Sequence, residues 1–371
     1  MREEAAALLR WYDAGHRTMP WRGSRDPYAI WVSETMLQQT RVETVIPYYH
    51  RFLAAFPDVR ALAEADTEEV LKRWEGLGYY QRARNLQAGA RQVMAEYGGR
   101  LPETAAELAK IKGIGPYTAG AVASIAFGRP EPAVDGNVIR VISRLTGLRE
   151  NVGVPSVRRR LTETVRGLIP PERPGDFNQA LMDLGAGLCC PGTPDCDACP
   201  LRAFCDACAA GDADLLPYLP DKAPPKQEAW AVLIAVNGAG EVLLAPRQER
   251  LLQGLWCFPM LPGTPGREEI RQALRKNWGL EPGQPAARGE ARHVFTHRVW
   301  NMTLWVALVA GGAPEGWRFC GPEEAARLPM PTAVKAARAL ALREGLTKPG
   351  SAHTVSKDEQ TAGYQRKAGK I

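Results

Sequence analysis

No apolar run in this sequence of 371 residues reaches the length of a membrane span. Its first fifteen residues, MREEAAALLRWYDAG, lack the apolar core of a secretory signal. A cytoplasmic monomer without a membrane partner is therefore expected. A large surplus of charge is missing as well. The net charge is +6, but residues 1–220 carry 26 Lys+Arg against 27 Asp+Glu, and residues 221–371 carry 21 against 14. Any binding of nucleic acid must then rest on local placement of charge, not on the total. Evenly spread cysteines, the mark of a disulfide framework, are absent too: six of the eight crowd into Cys189–Cys208. Apolar residues make up 45%, ample for a core, and the length allows two domains.

The most organised stretch is Leu101–Arg140. Thr104-Ala-Ala-Glu107 has the spacing of a capping box at a helix start. Gly113-Ile-Gly115 is a turn, and Pro116 opens a second helix where its missing N–H costs nothing. Outward-facing backbone N–H groups at such a hairpin suit a phosphate of a nucleic acid backbone. An ordinary helical turn is the plainer alternative. Asp135 stands at the cap of a third helix, Gly136–Thr146, where the helix dipole should favour its ionised form.

Upstream, Arg17-Thr-Met-Pro-Trp21-Arg22 is a loop of cations and aromatics, and Asp26-Pro27 is a strong helix start. The helix Tyr28–Leu37 places Glu34 beside Ile30, Trp31 and Leu37, on the face to be buried. Burial would raise its pKa and keep it protonated. A glutamate at the rim of that face, reaching water, remains the alternative. Gln38, Gln39 and Thr40 follow, where helix-end side chains can wedge into a base stack or serve as plain polar loop residues. Tyr79 and Tyr80 lie beside Arg82 and Arg84, which fits a nucleic-acid surface or a solvated helix start.

Cys189-x6-Cys196-x2-Cys199-x5-Cys205 packs four thiolates into one loop, which means a metal centre. Zinc ribbons favour two CxxC pairs, and this set holds one. Cys190 and Cys208 are left over and could compete as ligands. A Pro-rich linker, Tyr218–Gln227, precedes a change of pattern. Strands are expected at Ala229–Val236, Glu241–Ala245 and Val299–Val309, and helices at Glu268–Trp278 and Thr332–Arg343. Residues 346–371 read as an unstructured tail. The expected division is a helical domain over 1–217 with the cysteine loop 189–205, a linker over 218–228, and an α+β domain over 229–345.

Glu34 and Asp135 form a carboxylate pair in opposite environments, which is how acid and base roles are divided. Cleaving an N-glycosidic bond needs one group to protonate the departing base and another to face the oxocarbenium-like sugar.

Trp31–Thr40, Gly113–Gly120, Val134–Asn137 and the cysteine loop together resemble the MutY-type adenine DNA glycosylases of the helix–hairpin–helix, endonuclease III-like superfamily. The domain after the linker resembles a degenerate Nudix domain. Lys276 and Asn277 stand where a paired glutamate would hold Mg²⁺, so hydrolysis of nucleoside diphosphates is rejected. The resemblance implies a mainly α, two-lobed catalytic domain with a Nudix-like recognition domain. It implies a [4Fe–4S] cluster on Cys189, Cys196, Cys199 and Cys205. The implied substrate is double-stranded DNA with adenine opposite 8-oxoguanine or guanine. Superfamily members that also nick the strand carry a lysine where this chain has Tyr117, so a monofunctional enzyme is implied.

By position, Glu34 would protonate the base and activate water, and Asp135 would stabilise the cation. Tyr117 and Asn137 would support Asp135 and the sugar. Arg17, Trp21, Arg22 and Gln179 would line the adenine pocket; a glutamate often occupies the last of these. Gln39 and Tyr79 would wedge the duplex, and Gly113 and Gly115 would hold its backbone. Phe295-Thr296-His297 stands where the family often has Phe-Ser-His, the reader of 8-oxoguanine; outside that resemblance His297 reads as a turn histidine. The alternatives are a glycosylase of the same superfamily acting on thymine or oxidised pyrimidines, and a non-catalytic iron–sulfur DNA-binding protein.

Overall fold

A computed structural model describes residues 1–15, 17–220 and 223–344. The expected tail lies outside them. The first 210 residues are helical and build two apolar cores. One core gathers the helices Pro27–Leu37, Val42–Ala55, Thr67–Trp74, Gln81–Glu96 and Pro116–Phe127 around Trp31, Phe52, Trp74 and Leu86. The other joins the N-terminal helix Glu3–Gly15 to Gly136–Leu145, Pro155–Leu168 and Pro174–Gly187 around Leu8, Val141, Leu161 and Phe177. The chain thus leaves its first helix in the second lobe and crosses to build the first.

The expected hairpin forms. Thr104 accepts from the Glu107 N–H, closing the short helix Ala105–Leu108. Gly113 turns the chain at φ +85°, where an added Cβ would lie 2.6 Å from Asn85 Cβ. Pro116 starts the next helix, and Gly128 ends it in the left-handed conformation.

The C-terminal unit is a mixed sheet with helices on both faces. Strand β1 (Lys226–Val236) runs parallel to β7 (Arg298–Ala310), with Val232 opposite Leu304. β2 (Val242–Pro246) adds to the other side of β1, pairing also with β3 (Trp256–Cys257) and β8 (Arg318–Cys320). β4 (Met260–Pro262) pairs with β1; β5 (Glu281–Pro282) and β6 (Ala286–Val294) pair with β7. Along β1, Val232, Ile234 and Val236 pack towards helix Lys335–Glu344, and Ala231, Leu233 and Ala235 towards helix Arg267–Trp278. A strand buried on both faces reads as a continuous apolar run, which is what this segment shows. β1 begins at Lys226, inside the segment expected to be linker, and the expected final helix starts as a 3₁₀ turn, Thr332–Val334.

The two units are docked. Trp256 Nε1 donates to Glu68 at 2.9 Å, Lys72 Nζ to the Ala326 carbonyl at 2.8 Å, and Arg338 to Glu75 at 2.8 Å. Leu255 is part of the first lobe's core. Among the described residues no helix is long and apolar enough to cross a membrane.

Candidate active site

A cavity of about 750 Å³ opens between the two helical lobes. Helix Pro27–Leu37, capped by the Asp26 side chain, carries Glu34 into it from the first lobe. The second lobe supplies Asp135 at the N-cap of Gly136–Leu145. Glu34 is 5% exposed, and burial pushes its carboxyl up to about 7, against the opposing pull of the Tyr117 hydroxyl and Arg22. Tyr117 Oη donates to Glu34 Oε2 and also lies 3.6 Å from Met182 Sδ. Tyr117 is therefore attached to Glu34 rather than to Asp135.

Asp135 accepts from the Val138 N–H at 2.8 Å and from Asn137 Nδ2 at 3.0 Å. These bonds lower its pKa, but burial outweighs them and the net direction is upward. This corrects the expectation that the helix end alone would hold it down: the dipole stabilises about 1 kcal/mol or less at such a position, and desolvation can exceed that. Asn137 is itself held by Arg140, whose Nη2 donates to Asn137 Oδ1 at 2.8 Å and to the Gly185 carbonyl at 2.7 Å. Arg140 Nε reaches the Cys189 carbonyl at 2.8 Å. A Cβ on Gly185 would lie 2.7 Å from Asn137 Cβ, so the helix–helix approach that positions Asn137 needs glycine there.

Arg17, Trp21, Arg22, Gln179 and Gln39 all line the same cavity, as does Gly115. The organiser of the two arginines was not legible in the sequence. Asp183, 4% exposed, accepts from Arg17 Nη2 at 2.8 Å and Arg22 Nη2 at 3.0 Å. Arg22 also donates to Tyr12 of the first helix. The available signal was spacing: Asp183 lies one helical turn after Gln179.

Gly113, Tyr79 and the segment Phe295–His297 lie outside the cavity lining. The structure instead brings two of them together. Tyr79, held at φ +47°, hydrogen-bonds through its hydroxyl to Thr296 Oγ1 across the junction between the units. Gln39 is likewise left-handed at φ +58°, a conformation that costs energy for a non-glycine residue. Arg82 fixes this loop by donating to the carbonyls of Thr35, Met36 and Gln38 at the end of the Glu34 helix. Its guanidinium is spent on the backbone, so the reading of Arg82 as a nucleic-acid-facing cation is replaced by a structural one; Arg84, less buried, donates to the Gln253 carbonyl.

Away from the cavity, Cys189, Cys196, Cys199 and Cys205 line one small space with Arg144. Arg144 is 2% exposed and has no carboxylate partner among the described residues. It donates to Cys189 Sγ at 3.3 Å and to the carbonyls of Cys190, Gly192 and Leu216. A buried cation without a counter-charge is costly. A thiolate-bound metal centre supplies that charge, so the donor set and its neighbour fit the implied cluster.

Residues 32–166 match the family described as HhH-GPD superfamily base excision DNA repair protein, and residues 231–340 match the NUDIX domain. The sequence is 37% identical to the adenine DNA glycosylase of Mus musculus, over 88% of this chain and 76% of that one. It is 36% identical to the Homo sapiens adenine DNA glycosylase, over 89% and 72%. The chain belongs to the adenine DNA glycosylase family. Its helical part also resembles the solved structure of a thermostable thymine-DNA glycosylase, with a TM-score of 0.52 and 31% identity, over 56% of this chain and 95% of that one. That likeness leaves the C-terminal unit unmatched, whereas the adenine glycosylases span both.

Proposed function

We propose that this adenine DNA glycosylase acts in base-excision repair on adenine opposite 8-oxoguanine or guanine, leaving an abasic site without cutting the strand. One observation carries the chemistry: Glu34, a carboxyl whose pKa burial raises to about 7, shares a cavity with a second carboxyl, Asp135. The bond is hidden in a duplex, so the nucleotide must be extruded into the cavity. Glu34 then gives its proton to the departing adenine and afterwards takes one from the attacking water. Asp135, fixed by Val138 N–H and Asn137, faces the sugar as positive charge develops. Asp183 holds Arg17 and Arg22 against the base. Tyr117 offers no amine, so no imine forms and the backbone stays intact.

The C-terminal unit is a recognition module rather than a hydrolase, divided from the catalytic unit by the Pro-rich segment around 218–225. Phe295, Thr296 and His297 read the oxidised guanine, and the bond from Tyr79 to Thr296 links that reader to the wedge formed with Gln39. The hairpin at Gly113 and Gly115 anchors the backbone. Cys189, Cys196, Cys199 and Cys205 hold a [4Fe–4S] cluster, which braces the loop bearing Arg202 when bound.

The test is strand cleavage after alkali across a panel of mismatched duplexes. Cleavage is expected only at adenine opposite 8-oxoguanine or guanine, and only after alkali. Nicking without alkali, or excision of thymine, would contradict the proposal. Thr296→Ala combined with His297→Ala is expected to reduce the preference for 8-oxoguanine over guanine by about tenfold, the worth of one or two hydrogen bonds. An unchanged preference would remove this loop as the reader.

A further inference from the structure

The space lined by the four expected ligands contains a fifth thiol. Cys208 sits on the short helix Asp206–Ala210 and lines the same cavity as Cys189, Cys196, Cys199 and Cys205. The sixth thiol of the segment is placed differently: Cys190 Sγ points back at the preceding helix end, 3.2 Å from the Gly187 carbonyl and 3.5 Å from that of Ala186, and does not line the cavity. The four ligands are also unequal. Cys189, Cys199 and Cys205 pack against the apolar core of the second lobe, which fixes their sulfurs. Cys196 is not part of that packing and lies on the loop between. The ligand least held by the fold is thus Cys196, and a fifth thiol lines the space it shares with the other three.

We propose that Cys208 is a substitute ligand, able to take the iron site otherwise held by Cys196. The inference rests on the cluster reading above. The exchange moves no electrons. The Cys208 thiol releases its proton to water as its sulfur bonds iron, and the Cys196 sulfur leaves and takes up a proton. Thiolate ligands exchange in this way where a second thiol lies within reach and both can be deprotonated by the metal. The consequence is a cluster that survives loss of one ligand, at this one position.

The test is iron content and visible absorbance of the purified full-length protein. Cys196→Ala is expected to keep more than half of the wild-type iron, Cys208→Ala all of it, and the double variant less than a tenth. Cys199→Ala, which removes a ligand packed on the apolar core, is expected to lose the cluster. A Cys196→Ala protein as poor in iron as the double variant would overturn the inference. Iron-free wild-type protein would overturn the cluster reading as well, so the two failures are distinguishable. A second measurement does not depend on the Cys196 variant folding. On treatment with ferricyanide and a chelator, Cys208→Ala is expected to bleach several-fold faster than wild type; equal rates would overturn the proposal.

Discussion

Glu34→Gln should reduce adenine release by a factor of about 10²–10⁴ while leaving duplex binding within a few-fold of wild type. Glutamine fills the same space and can still accept from Tyr117, so the cavity keeps its shape. It cannot donate a proton of useful acidity, and an anionic purine leaves poorly. Single-turnover release and a gel-shift titration separate the two effects; full release activity would refute the acid assignment. The same variant carries a stability signature. Burial raises Glu34 from 4.5 to about 7 in the folded chain, so the folded state holds this proton more tightly than the unfolded one. The penalty for ionising Glu34 is therefore absent below pH 4.5, grows up to pH 7 and is complete above it. Replacing it with glutamine is expected to stabilise the protein at pH 8 by up to about 3 kcal/mol, and not at pH 4.5. Thermal melts at the two values check this.

Asp135→Asn should be the second large loss, of about 10²–10³-fold in single-turnover release. Asparagine is as good a helix cap as aspartate, so the bond from Val138 N–H survives and the fold is kept. What disappears is the negative charge facing the sugar. A variant that retains more than a tenth of the wild-type rate, with an unchanged melting temperature, would remove the charge-stabilising role. Because both carboxylates act on one transition state, the double variant is expected to be little worse than Glu34→Gln alone.

Much of this was legible because it is local. The Asp26 cap, the proline at position 27 and the apolar neighbours of Glu34 lie within three helical turns, and together they give both the helix and the burial of its carboxyl. The hairpin at Gly113 and the cap at Asp135 are likewise short-range signals. What escaped depends on distant partners. Asp183 organises arginines 161 and 166 residues away, and nothing beside it announces them. Arg82 looked like a surface cation because its targets, the carbonyls after Thr35, are brought to it only by packing. Strand β6 alternates weakly and lies largely exposed on the sheet edge, so it gave no apolar run to read. For Asp135 the local rule was right about position and wrong about the outcome, because burial between lobes is a tertiary property.

The assignment of the proton to Glu34 is tested most directly by the pH dependence of single-turnover adenine release between pH 5.5 and 9, on a duplex with one adenine opposite 8-oxoguanine. With Glu34 titrating at about 7, the rate should be steady below that value and fall about tenfold per pH unit above it. In Glu34→Gln the residual rate should lose that break. A wild-type rate that stays constant to pH 9, or a break that persists in the variant, would contradict the assignment of the proton to Glu34.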